Sequence, residues 1–294
     1  MKFVQLISLR YLLLLAFGLL VFRYGFLDLQ PGLPLALNHW RYALMVLAAL
    51  LVAAGGFFII NCYAEDYRMP EGKMYNIYVA LTLPGLAIGY YLADFLDHFN
   101  VVMLLVMIAV LMYIYATGLR KMLLVSNFIA ATVTASSLVL IAIYNLYPVL
   151  LPSNKAYLAT IFGLMLDYTL FIFVIIFILT LVYNLKNINS DYNDGNTTLP
   201  IVLGRDRAVK VTFVIALLPL AFLVYYANKY LLNLIWSIGY GLLFIVAPLI
   251  YFLVKLWGAK SPNEFRHLAF ILKMVVFFTI ISIIVITYNI QYNA

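Results

Sequence analysis

Long uninterrupted apolar runs, parted by short polar stretches, set the pattern of this chain. Nine such runs are legible, at roughly residues 9–28, 39–60, 76–96, 99–118, 122–147, 157–183, 208–227, 230–254 and 267–289. A helix needs about 20 apolar residues to cross the hydrocarbon core of a bilayer. It satisfies its own backbone polar groups there, as an open strand cannot. The predicted fold class is therefore all-α: a polytopic membrane protein with nine transmembrane helices, forming a single integral-membrane domain over residues 1–294. The first run passes straight into "FRYGFLD" with no small-residue cleavage site, so it reads as a span and not as a removed signal peptide.

Composition agrees with the pattern. Only 10% of the residues are charged, against about 25% in a soluble domain, too few to cover a water-facing surface. The single cysteine, Cys62, excludes an intrachain disulfide and a cysteine-based zinc site, and His39, His98 and His267 lack metal-ligand spacing. Cys62 has no neighbouring histidine and reads as a small filler, and Gly55-Gly56 as a place where helices pack closely.

The net charge of +7 is informative through its distribution. Thirteen basic residues fall at the amino terminus or in even-numbered connections: Lys2, Arg10, Arg68, Lys73, Arg120, Lys121, Lys186, Arg205, Arg207, Lys210, Lys255, Lys260 and Arg266; Lys273, just inside the ninth run, belongs to the same side and makes fourteen. Four fall on the other side: Arg23, Arg41, Lys155 and Lys229. Basic loops stay in the cytoplasm, so the amino terminus is expected inside and the carboxyl terminus outside the cytoplasmic membrane. That distribution reads as topology, with membrane lipid as the surrounding partner and no nucleic acid.

Two cytoplasmic connections stand out for their amides and acids. The first reads "IINCYAEDYRMPEGK" from Ile59; the second includes "NINSDYNDGNTTLPIVLG" from Asn187 to Gly204. If the second span continues as a helix, Asn61 and Glu65 share a face, with Asp66 about 100° further round. Asn184, Asn187 and Asp191 fall at i, i+3 and i+7, again one helical face, with Asp194 and Asn196 just beyond. Carboxylate and amide oxygens suit Mg²⁺, a hard cation that keeps waters and binds substrate phosphates. Arg120, Lys121, Arg205 and Lys210 would hold phosphate oxygens. Solvated loops are commonly polar as well, and spacing alone does not separate the two readings.

A resemblance sharpens them. The run "AAGGFFIIN" leading into Asn61, the "RMPEGK" that follows, and the ungapped tail Asp191, Gly195, Thr198, Leu199, Pro200, Leu203 and Gly204 resemble the two motifs of the UbiA family of intramembrane prenyltransferases. "LISLRYLLLLAFGLLVFRYG" and "YIYATGLRKMLLVSNFIAA" are similar to Bacteroidetes members of that family. The resemblance implies a nine-helix UbiA-like bundle that transfers a polyprenyl group from a prenyl diphosphate to a lipophilic acceptor, with Mg²⁺ as cofactor. Under it, Asn61, Glu65, Asp66, Asn187, Asp191 and Asp194 would hold the metal. Asp191 and Glu65 would carry the catalytic role, and Arg120, Lys121, Lys210 and Asn184 would bind the diphosphate.

Departures fall on the chemistry. Cys62 stands where the first motif has its second-position Asp, and Met69 aligns with its last. A shortened loop would bring Asp66 into register in its place. In the second motif, Leu179 and Thr180 replace an Arg-Glu pair, Tyr183-Asn184 replaces Lys-Asp, and Asn187 replaces Asp. An Asp-to-Asn change keeps an oxygen ligand and removes its charge. Asp167, inside the sixth span, is an intramembrane acid and so a candidate acceptor contact or proton path. Pairing with Arg41, Lys155 or a tyrosine is its plainer reading. The 24 Tyr and 21 Phe suit an isoprenoid tunnel, or simply packing and interface belts. Three function classes stay open: the transferase, a catalytically inactive relative that binds an isoprenoid lipid or a membrane partner, and a transporter using Asp167.

Overall fold

The computed structural model describes residues 2–64, 69–231 and 234–293. None of these residues lies in a strand, and among them nine helical segments are long and apolar enough to cross a membrane. A short α1 (Lys2–Leu6) precedes α2 (Leu9–Tyr24), α3 (His39–Ala64), α4 (Glu71–Phe95), α5 (Val102–Thr117), α6 (Val125–Asn145) and α7 (Lys155–Lys186). The second polar connection folds into α8 (Ile188–Asn193) and α9 (Leu199–Leu203). Then come α10 (Arg205–Ile215), α11 (Leu218–Tyr226), α12 (Ile235–Gly241), α13 (Ala247–Gly258) and α14 (Pro262–Asn293). The chain is an integral membrane protein.

The seventh and eighth spans are broken, and proline explains where. Pro219 lies at the start of α11; its ring would strike the carbonyl of Ile215, four residues back, and α10 ends there. Pro248 likewise follows a wide π-type turn over Leu242–Val246. α14 begins with a reciprocal cap: the Glu264 carboxylate accepts from Lys260 N at 2.8 Å and Ser261 N at 2.7 Å, and Glu264 N donates to Ser261 Oγ at 3.3 Å. Such a box satisfies backbone donors that the first helical turn leaves over.

The chain divides into two compact units, one of residues 1–23, 30–120 and 136–168, the other of residues 24–29, 121–135 and 169–294. In the first unit α3 packs along α4 and α5, and glycines make that possible. A Cβ on Gly85 would lie 2.8 Å from the Ala48 carbonyl oxygen, one on Gly55 would strike Thr82 Oγ1, and one on Gly56 would strike Met112. Small residues let membrane helices approach this closely. The same unit buries Arg23, 3% exposed. Its guanidinium donates to Asn145 Oδ1 and to the Leu37 carbonyl, both at 2.8 Å, and lies 5.2 Å from the centre of the Tyr42 ring.

In the second unit α14 packs against α12 and α13. Tyr240 donates to the Phe278 carbonyl at 2.9 Å, and the Phe244 ring lies between the Tyr240 and Phe278 rings, at 4.9 and 4.8 Å. Buried Asn289 donates to Ser237 Oγ at 3.1 Å.

Candidate functional site

Asn61, of the first motif, lies near the end of α3. Its Nδ2 donates to the Leu6 carbonyl at 2.7 Å and to Ser8 Oγ at 2.9 Å. The amide therefore ties the amino-terminal segment to α3. Its orientation is fixed, and its Oδ1 is the atom left for a ligand. Cys62 is buried with Leu6, Phe58 and Met74, which makes it a packing residue. Glu65 and Asp66 lie outside the described residues. Arg120 belongs to this first unit, as does Asp167, which is half-buried. Arg41 lies over the Phe95 ring, 3.5 Å from its centre. Asp94 and Asp97 are exposed at the end of α4.

The second unit holds the larger part of the predicted set: Lys121, Asn184, Asn187, Asp191, Asp194 and Lys210. The expected single helical face through Asn184, Asn187 and Asp191 is interrupted. α7 stops at Lys186, and Asn187 takes φ −104°, ψ 19° before α8 begins. The amide-rich run has weak helix propensity, and Asn187 turns in the sparsely used region between helix and strand. On α8 the register resumes, because Asp191 N donates to the Asn187 carbonyl at 2.9 Å. Asn187, Asp191 and Asp194 lie along one side of this short helix by its periodicity.

The opposite side of α8 borders a cleft of about 530 Å³ lined by Ile188, Asn189, Tyr192, Asn193, Pro200 and Ile201. Asn187, Asp191 and Asp194 are therefore on the side of the helix away from it.

Each half of the donor set has a buried asparagine beneath it. Asn127, on α6, accepts from Asn184 Nδ2 at 3.3 Å, so the Asn184 amide is oriented with its NH₂ toward the protein. Asn196, 6% exposed, donates through Nδ2 to Asp191 Oδ1 at 3.1 Å. Its backbone N–H also closes on the Asp191 carbonyl at 2.8 Å. The next residue, Thr197, donates its N–H to the Lys121 carbonyl at 3.0 Å, which pins the loop to the segment carrying one predicted base. Gly195 makes the turn with φ 68°, a conformation glycine adopts without Cβ strain. Lys121 and Lys210 are exposed. Along α7, Phe173, Phe177 and Asn184 follow one stripe at i, i+4 and i+11, and Phe128 meets the Phe173 ring edge-on at 5.3 Å.

Among the described residues no group of three His, Cys, Asp or Glu converges. The donors present are Asp191 and Asp194 with the amide oxygens of Asn184 and Asn187. That set fits a Mg²⁺ ion that keeps waters and takes most of its charge from substrate phosphates. It does not fit a closed all-protein cage.

Solved structures carry the same architecture. A digeranylgeranylglyceryl phosphate synthase aligns with a TM-score of 0.70 at 16% identity, covering 97% of this chain and 97% of that one. A UbiA homologue from Archaeoglobus fulgidus bound to DMAPP and Mg²⁺ aligns at 0.63 and 13% identity, over 96% of this chain and 99% of that one. The same homologue bound to GPP and Mg²⁺ aligns at 0.63 and 12% identity. This chain has the UbiA fold. No protein-family model matches it, and no curated protein matches it by sequence. The UbiA fold was legible in the second-motif tail, whereas the support for its donors was not. Asn127 was missed, although an amide inside the apolar run "VSNFIAA" is the kind of intramembrane polar group that marks a site.

Proposed function

We propose that the chain is an intramembrane prenyltransferase, moving a polyprenyl group from a prenyl diphosphate to a lipophilic acceptor. The carrying observation is the likeness to UbiA-fold structures along nearly the whole chain, 97% and 96% of it, joined to an oxygen-donor loop at the end of an aromatic stripe. In this reading Asp191, Asp194, Asn184 and Asn187 hold Mg²⁺, with Asn61, Glu65 and Asp66 contributing from the first motif. When bound, the ion neutralises charge on the diphosphate leaving group. Arg120, Lys121 and Lys210 pair with phosphate oxygens. Phe128, Phe173 and Phe177 offer an apolar wall that excludes water and tolerates an allylic cation. Asp191 and Glu65 touch the diphosphate end of the reaction, and Asp167 serves the acceptor side.

The likeness to the digeranylgeranylglyceryl phosphate synthase supports testing a glycerol-phosphate acceptor before a quinone-type one. The amino terminus is placed in the cytoplasm, supported by the fourteen-to-four distribution of basic residues.

The test is pyrophosphate release from geranylgeranyl and farnesyl diphosphates by protein in lipid nanodiscs, with lipid extract as acceptor. Release is expected to require Mg²⁺ and to fall at least 100-fold in Asp191→Ala, the order seen when a group aimed at developing charge is removed. Folded protein that binds a prenyl diphosphate and releases nothing across the acceptor classes would make it a non-catalytic isoprenoid binder.

A further inference from the structure

We infer that Asn196 is a positioning residue for Asp191, setting the direction in which that carboxylate meets the cation. The inference rests on the metal-assisted reading above and adds to it a residue that ligates nothing itself. Three observations carry it. Asn196 is nearly fully buried at 6% exposure, and a buried amide that is not hydrogen-bonded is costly. It places its Nδ2 on Asp191 Oδ1 at 3.1 Å. Its own backbone N–H returns to the Asp191 carbonyl at 2.8 Å. The two contacts close a ring around one residue, so the carboxylate cannot rotate without breaking a hydrogen bond.

The reason lies in the depleted charge of this loop. Where several carboxylates surround a cation, one can swing away and others compensate. Here Asp191 and Asp194 are the acids of the second connection, with amides at Asn184 and Asn187. The site therefore depends more on direction than on the number of charges. Thr197 N, bonded to the Lys121 carbonyl at 3.0 Å, anchors the strip that carries Asn196 and passes that rigidity to the carboxylate. Groups that orient metal ligands typically change metal affinity by about 10–100-fold when removed.

The experiment titrates Mn²⁺ into protein in nanodiscs with inorganic diphosphate present, read by loss of the free-ion paramagnetic resonance signal. Asn196→Ala is expected to weaken binding about 10–100-fold. In an Asp191→Ala background the same change is expected to add less than about twofold, because the group it orients is gone; contacting residues couple in this way. Asn196→Ser, which keeps the backbone contact and a smaller buried polar group, repeats the measurement if the alanine variant does not fold. Wild-type affinity in folded Asn196→Ala overturns the inference and leaves the transferase reading standing. So does an equal loss with and without Asp191. Wild-type protein that releases pyrophosphate yet takes up no Mn²⁺ also overturns it. If wild type neither takes up Mn²⁺ nor releases pyrophosphate, the transferase reading falls and the inference falls with it.

Discussion

At Asn61 one atom type decides the role. Its contacts to the Leu6 carbonyl and Ser8 Oγ both use the amide as donor. Placing an acid here is therefore predicted to harm the fold. Asn61→Asp removes both donations and sets a carboxylate against the Leu6 carbonyl, which the Ser8 hydroxyl, free to turn and donate, offsets only in part, at about 1–3 kcal/mol. A drop of several degrees in the melting temperature of the nanodisc-embedded protein is the expected result; an unchanged or raised value would show that the amino-terminal anchor is dispensable. Sequence spacing pointed Asn61 toward ligands and was silent on this anchor. The partner, Ser8, is 53 residues away and adopts φ 54°, a conformation its own type does not announce. Asp191 was legible because acids are rare in this chain. Asn196 was visible as one more loop amide, and its burial is a tertiary property.

Glycines illustrate how the elements were read and where that reading stops. The adjacent pair Gly55-Gly56 signalled close packing from sequence alone, and its contacts with Thr82 and Met112 agree. Isolated glycines carry no such signal. Gly85 in α4 faces the Ala48 carbonyl oxygen at a hypothetical Cβ distance of 2.8 Å, whereas Gly163 in α7 has no atom within 4 Å. Gly85→Ala is predicted to destabilise by about 1–3 kcal/mol through overpacking. Gly163→Ala is predicted to be neutral or to stabilise by up to about 1 kcal/mol, because alanine is the better helix former. Denaturation of the two variants side by side checks the contrast, and equal effects would contradict the close α3–α4 approach. The breaks in the seventh and eighth spans belong to this scale too. Pro219 and Pro248 were in plain view, but an apolar run long enough to cross a membrane hides an interruption inside it.

At the scale of the whole molecule, hydrophobic runs located the nine spans found among the described residues to within about five residues of the helices, because length and apolarity are the quantities a bilayer selects. The sidedness of the connections is checked by single cysteines placed after Cys62→Ala. A cysteine at Asn193 is expected to react with a membrane-impermeant thiol reagent from the cytoplasmic face alone, and one at Ser153 from the outer face alone. The reverse pattern would invert the topology and with it the side from which a diphosphate arrives. What the chain could not disclose in one dimension is which residues belong to which compact unit. α6 and α7 each pass from one to the other, so two donors adjacent in sequence terms can belong to different bodies.

The Arg23–Asn145 contact has a consequence in time. The two residues are 122 positions apart. At a synthesis rate of about 5–20 residues per second, the first span waits roughly 6–24 s for the helix that brings Asn145 to its guanidinium. Arg23 stands in the last turn of α2, where a long basic side chain can reach the headgroups, so during that interval this end of the span is held at the interface. Membrane quality control meets the chain before the Asn145 contact has formed. Asn145→Ala would remove that late-arriving acceptor and leave the Leu37 carbonyl, and its first visible effect would be a shorter cellular half-life of the newly made chain.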